Sequence, residues 1–122
     1  MKIFILEDNE FRIKTFKQSL IGHSVDIVTT VKDGRPLVEE KYDLIFLDHD
    51  LGGETYVPSG PETGYEMAQI ISETVNKDTP TIIHSCNHAG STSISFVLPH
   101  AKRVPFSRLD ISFEVSEVSK SN

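Results

Sequence analysis

Three short segments concentrate the side chains of this chain that can do chemistry. Glu7-Asp8 follows the apolar run KIFIL, Asp48-His49-Asp50 follows Tyr42-Asp43-Leu44-Ile45-Phe46-Leu47, and His84-Ser85-Cys86-Asn87 follows Thr81-Ile82-Ile83. Carboxylates gathered in one pocket repel one another unless a cation sits between them. Hard oxygen ligands suit Mg²⁺, Mn²⁺ or Ca²⁺, and imidazoles from His49 or His84 shift the preference toward Mn²⁺ or another transition metal. Glu7, Asp8, Asp48 and Asp50 are therefore the candidate metal ligands. His49 stands between two acids, which would orient it and favour the protonated form that a general acid needs. His84 is a second candidate for proton transfer, with Ser85 and Asn87 placed to bind a phosphoryl oxygen. A Ser85–His84 nucleophile pair is disfavoured, because adjacent residues on a strand point to opposite faces. Ala89-Gly90-Ser91 adds a candidate phosphate cradle, with Gly90 at a helix start. Each feature has a plainer reading: acids that cap a helix, a buried histidine bonded to backbone, and a turn into the next helix.

The elements that must position these groups alternate in type. Residues 2–6 fit a strand buried on both faces. Asn9 is a cap for a helix carrying Ile13, Phe16 and Leu20. Val25–Thr30 reads as a second strand and Asp33–Glu40 as a short helix capped by Asp33, with Pro36 near its start. Tyr42–Leu47 is the clearest strand. Residues 51–62 hold three glycines and two prolines and form a long loop, a feature that in a compact domain is functional or mobile. Thr63 to about Val75 has helical spacing, with Met67, Ala68, Ile71 and Val75 on one face. Thr81–His84 is the fourth strand, Ser91–Leu98 a helix stopped by Pro99, and Ala101–Val104 a weak fifth strand. Beyond residue 106 the pattern is ambiguous. Leu109, Ile111, Phe113 and Val115 alternate with period two, while Ile111, Val115 and Val118 also fit a helix. Serine and β-branched content favours a strand or frayed element.

Alternating strands and helices imply crossover units. The expected fold is a three-layer α/β/α sandwich around a mostly parallel five-stranded sheet, with a core of about residues 1–106 and a divergent C-terminal extension over 107–122. In an open parallel sheet, ligands bind beyond the carboxyl ends of the strands. All three polar segments lie at such ends, so they converge on one edge.

With 122 residues the chain is one domain in size. Eighteen Asp and Glu against twelve Lys and Arg leave a net charge of −6, which argues against broad nucleic-acid binding. A single cysteine, Cys86, excludes an internal disulfide and a cysteine-rich zinc site. No apolar run approaches the roughly 20 residues of a membrane span, and the expected setting is the cytoplasm.

The strand ends resemble those of receiver domains of two-component signalling: Glu7-Asp8 after the first strand, Asp48 after the third and Ser85 after the fourth. Thr63-Gly64-Tyr65-Glu66-Met67 resembles the start of the receiver's third helix. The resemblance implies the flavodoxin-like receiver fold, with Asp48 accepting a phosphoryl group and Glu7 and Asp8 holding Mg²⁺. One departure stands out. Receivers carry a lysine before the proline that ends the fifth strand, and here the slot reads Val104-Pro105. Leu6-Glu7-Asp8, Leu47-Asp48-His49-Asp50-Leu51-Gly52 and His84-Ser85-Cys86-Asn87, with Gly64 and Gly90, resemble instead the divergent cyclic-phosphate-processing receiver-like domains.

The expected function is metal-dependent hydrolysis of a cyclic phosphate, in which His49, His84 and Asp48 act in catalysis, Ser85, Asn87 and Gly90 bind phosphate, and Mg²⁺ or Mn²⁺ is the cofactor. The expected partner is a small phosphorylated ligand, such as a cyclic nucleotide or an RNA end. The alternatives are a module that binds such a ligand without turnover and a phosphoacceptor domain using Asp48. A free C-terminal strand edge would let two copies of the chain pair.

Overall fold

A computed structural model describes residues 1–121. Five strands form one sheet, β1 (Lys2–Leu6), β2 (Ser24–Val28), β3 (Leu44–Leu47), β4 (Thr81–Ile83) and β5 (Lys102–Arg103). Their order is β2-β1-β3-β4-β5 and every pair is parallel. Five helices cover the sheet: α1 (Glu10–Ser19), α2 (Val31–Leu37), α3 (Gly64–Ile71), α4 (His88–Val97) and α5 (Ile111–Ser121). A 3₁₀ turn, Phe106–Arg108, precedes α5.

Strand residues alternate between two cores, because successive side chains of a strand point to opposite faces. Ile3, Ile5, Leu44, Phe46 and Ile82 pack with Phe16 of α1, with Leu20 just past its end, and with Ile111 and Val115 of α5. Phe4, Leu6, Ile45, Leu47 and Ile83 pack with Met67, Ala68 and Ile71 of α3 and with Ile94 and Leu98 from the α4 segment. The three central strands are buried on both faces, which is why they read as unbroken apolar runs.

The C-terminal stretch corrects the strand expectation. Residues 111–121 are helical, and Asp110 caps them by accepting a hydrogen bond from Phe113 N at 3.0 Å. The period-two pattern was a coincidence of Phe113, which stays 48% exposed on the outer side while Ile111 and Val115 enter the core. The free strand edge on which pairing of two copies rested is therefore absent from this segment.

Other boundaries move by a few residues. α2 begins at Val31, capped by Thr30 rather than Asp33, whose N–H donates to Thr30 Oγ1. α3 ends at Ile71, so Val75 lies beyond it and is exposed. α4 begins at His88, three residues earlier than expected, because Asn87 caps it. Among the described residues no helix is long and apolar enough to cross a membrane.

Candidate functional site

Strand register determines which polar residues meet. Ile5 pairs with Phe46, so two residues on Glu7 lies beside Asp48; Phe46 pairs with Ile82, so Asp48 lies beside His84. Hydrogen bonds Asp48 N to Leu6 O and His84 N to Leu47 O, both 3.0 Å, carry the pairing past the strand ends. Glu7, Asp48 and His84 thus continue one row across three strands, on the α1/α5 side. Asp8, His49 and Ser85 have the opposite parity.

All three residues of the row are buried, and one ligand atom from each lies within 4.8 Å of the others. Glu7 has three hydrogen-bond donors around it. Its Oε2 accepts from the backbone N–H groups of Asp8 (3.0 Å) and Asn9 (3.1 Å), and its Oε1 accepts from His84 Nε2 at 2.9 Å. Burial opposes the Glu7 charge, but the His84 hydrogen bond, the Asn9 N–H and the Arg12 guanidinium outweigh it and hold the carboxyl below its usual range. Asp48 is in the opposite condition. Burial, together with the charge of Glu7, pushes its pKa up to about 8, although His49 N donates to its Oδ1 at 2.9 Å. Two buried carboxylates side by side cannot both ionise cheaply, and Asp48 takes the proton.

His84 sits in an aromatic box. Its ring lies 5.2 Å from Phe16, 6.5 Å from Phe46 and 6.2 Å from Phe106. Burial holds it below the usual imidazole range despite Glu7. With Nε2–H facing a carboxylate, Nδ1 is the bare nitrogen, and it has no partner among the described residues. His49 is equally buried and stands behind a different acid. Its Nδ1 is 2.8 Å from Asp50 Oδ1 and its Nε2 is 2.9 Å from Ser59 Oγ. Neither imidazole lines the cavity; each stands behind a carboxylate that does.

Close packing explains two glycines. A Cβ on Gly64 would lie 1.8 Å from Asp48 O, and one on Gly90 would lie 2.4 Å from His49 Cγ. The segment Asp48-His49 is clamped between the starts of α3 and α4, and only glycine permits the approach. The Gly90 N–H is already given to Asn87 Oδ1 at 2.9 Å, so this glycine seats His49 while Asn87 caps the helix.

The acids outside the row hold the long loop. Asp8 Oδ2 accepts from Gly53 N at 3.0 Å. Asp50 accepts from Tyr56 N at 2.6 Å and from Asn87 Nδ2 at 2.9 Å. Burial opposes the Asp50 charge, but the bonds from His49, Asn87 and Tyr56 keep its pKa below the ordinary value. Asn87 Nδ2 also reaches Val57 O at 3.1 Å, so its amide serves the loop. Ser85 Oγ accepts from Asn87 N at 3.0 Å, leaving its O–H able to donate into the cavity.

One residue was missed in the sequence. Arg12, in the first turn of α1, brings Nη1 to 3.7 Å from Glu7 Oε1 and 3.9 Å from Asp48 Oδ2. Its guanidinium lies 5.0 Å from the centre of the Phe106 ring and its Nη2 is 3.7 Å from Cys86 Sγ. A cation near a helix N-terminus opposes the dipole, and that placement was the available signal. The lysine on β5 points elsewhere: Lys102 Nζ binds both oxygens of Glu114, at 3.0 and 2.9 Å. Arg103 bonds to Thr92 Oγ1 at 2.8 Å. Arg12 is thus the cation of this site.

These groups surround a cavity of about 490 Å³, whose walls include Glu7, Asp8, Arg12, Asp48, Asp50 and Ser85. The donor set fits a divalent cation. It is made of hard oxygens, and the forced proton on Asp48 marks a charge that the protein alone does not neutralise. Glu7 and Asp48, with Asp8 at the rim, are the residues that would hold it.

The comparisons agree with this architecture. A receiver domain protein from Methanospirillum hungatei superposes with a TM-score of 0.71 at 18% identity, covering 99% of this chain and 98% of that one. The receiver domain of a sensor histidine kinase from Pseudomonas aeruginosa, with a magnesium ion coordinated in its active-site cleft, gives 0.70 at 18%, covering 98% and 94%. A Thermotoga maritima response regulator in complex with Mg²⁺ and BeF gives 0.67 at 22%, covering 98% and 96%. No curated protein matches the sequence. The family model for the cyclic-phosphate processing receiver domain matches residues 1–99. With its receiver fold and that match over most of its length, the chain belongs to the cyclic-phosphate processing receiver domain family.

Proposed function

We propose that this site opens a cyclic phosphodiester by metal-dependent hydrolysis. The observation that carries the reading is the buried Glu7–Asp48 pair with Arg12 beside it at the floor of a cavity. The magnesium in the cleft of the Pseudomonas receiver domain and the Mg²⁺–BeF complex of the Thermotoga response regulator support a cation here. A divalent cation held by Glu7 and Asp48, with Asp8 near, would supply a Lewis acid for a phosphoryl oxygen and an activated water. Once the two carboxylates are neutralised, Arg12 is free to turn its guanidinium to the phosphate. Its fork of donors matches phosphoryl oxygens. The Ser85 hydroxyl donates to another oxygen from the α4 side.

His84 acts through Glu7. It fixes that carboxylate and, held neutral by burial, adds no competing charge. His49 acts through Asp50, whose Oδ1 lies 2.8 Å from its Nδ1, and Asp50 is the ionised acid at the cavity wall that can take a proton by way of water. Both histidines are therefore positioning residues, and Asp50 is the group placed for proton transfer.

Purified protein incubated with Mg²⁺ or Mn²⁺ and a panel of cyclic phosphates, with products read by liquid chromatography and mass detection, tests the reading. The expected result is a gain of one water, abolished by chelator and by Asp48→Asn. Recovery of every substrate unchanged overturns it.

The position of Asp48 at the end of the central strand, beside Arg12, favours a second reading, phosphoryl transfer to its carboxylate. That reading expects a mass gain of one phosphoryl group from acetyl phosphate, absent in Asp48→Asn.

A further inference from the structure

The described residues expose four large aromatic rings, Phe11, Tyr56, Phe96 and Phe113. Phe113 has a partner in Lys102, whose ammonium lies 5.3 Å from its ring centre. Phe11 and Tyr56 are 72% and 74% exposed, and both line the cavity above the acidic pair. They come from separate parts of the chain. Phe11 belongs to the first turn of α1, next to Arg12. Tyr56 is carried by the loop, and its backbone is held at φ 56°, a conformation few non-glycine residues adopt. The bond from its N–H to Asp50 Oδ2 keeps it there. The loop therefore spends strain to hold a large ring at the mouth of the site without burying it.

We infer that Phe11 and Tyr56 form a stacking platform for a nucleobase, and that the cyclic phosphate treated at this site belongs to a nucleotide. The inference rests on the proposed reaction for the identity of the phosphate. Exposed aromatic rings beside a phosphate-binding floor recognise a flat heterocycle by its π-face. The cavity volume of about 490 Å³ lies in the range of small-ligand sites. Charge at the mouth narrows the class further. Glu10 and Glu54 also line the cavity and are exposed. Two acids there disfavour a ligand carrying a string of phosphates and can accept from the exocyclic amino groups of adenine, guanine or cytosine. A cyclic mononucleotide meets these conditions better than an RNA strand ending in the same group. A sugar phosphate without a base would leave both rings idle.

The chain contains no tryptophan, so Phe11→Trp creates a single fluorescent reporter at the platform. Its emission, followed in Mg²⁺ during addition of 2′,3′-cyclic AMP, of an oligoribonucleotide with the same cyclic end, and of a base-free cyclic phosphate, tests the inference. Saturable quenching is expected with the mononucleotide, weaker binding with the oligomer, and no quenching with the base-free compound. Calorimetry with Phe11→Ala and Tyr56→Ala is expected to show roughly tenfold weaker nucleotide binding for each, the size typical of one lost base–ring contact. Equal affinity for the base-free compound and the nucleotide, or unchanged nucleotide binding in both alanine variants, overturns it. Quenching by a nucleotide that is recovered intact keeps the platform and overturns only the hydrolysis. Tighter binding of the oligomer overturns the preference for a mononucleotide.

Discussion

Removing the charge of Asp48 stabilises the metal-free protein, and the gain grows with pH. Burial and the neighbouring Glu7 carboxylate place the Asp48 pKa at about 8 in the fold, against an ordinary value of 3.8. An acid whose folded pKa lies above its unfolded one binds its proton more tightly when folded. Its contribution is fully present below the unfolded value and is lost as pH rises to the folded one. In that window one proton is worth about 1.4 kcal/mol per pH unit. Between about pH 6 and about pH 7.5 the wild type should therefore lose up to about 2 kcal/mol relative to Asp48→Asn, whose amide does not titrate and can donate to Glu7. Water entry and the Arg12 guanidinium relieve part of this, so the figure is a ceiling. His84 and Glu7 remain in both proteins, and their titrations largely cancel in the difference. For a chain of this length about 2 kcal/mol corresponds to roughly 6–12 °C in Tm. Urea denaturation in chelator at a series of pH values reads the difference directly. Added Mg²⁺ should stabilise the wild type and flatten its pH dependence, with little effect on the variant. A difference between the two proteins that stays constant across the range, or a variant less stable at the upper end, would refute the reasoning.

Three further substitutions have definite expected outcomes. Gly90→Ala forces a Cβ to 2.4 Å from the His49 ring, and its overpacking should lower stability in urea by about 3 kcal/mol. His84→Ala strips the buried Glu7 of its partner at 2.9 Å; a loss of about 2–3 kcal/mol is expected, with partial recovery in His84→Gln. Arg12→Ala takes the cation from beside the buried Glu7 and should lower Tm in chelator; in Mg²⁺ it should weaken phosphate binding by roughly 10- to 100-fold, the worth of a charged hydrogen bond, as measured by calorimetry.

Much of this site was legible because it follows from strand periodicity. Apolar runs that stop abruptly in acids gave the strand ends, and the parallel order gave their convergence. Parity along the strands also separates Glu7, Asp48 and His84 from Asp8, His49 and Ser85, given only the register. What lay hidden depends on contacts that spacing does not encode. Arg12 reaches Glu7 and Asp48 across a helix turn and rests on Phe106, a contact spanning most of the chain. The retreat of His49 and His84 behind Asp50 and Glu7 depends on Ser59 and on the aromatic box. The C-terminal helix was misread because four alternating apolar residues satisfied period two. The cap at Asp110 and the packing of Ile111 and Val115 on Phe16 decided for period 3.6.

The paired carboxylates at the centre of the site are tested most directly by counting divalent ions. Mn²⁺ titrated into chelator-treated protein and followed by electron paramagnetic resonance should show one bound ion per chain, displaced by Mg²⁺. The same titration of Asp48→Asn should show binding at least tenfold weaker, the order of change a lost metal-site contact brings. Absence of bound Mn²⁺ at millimolar concentration, or equal binding by the variant, would contradict a cation site built on Glu7 and Asp48.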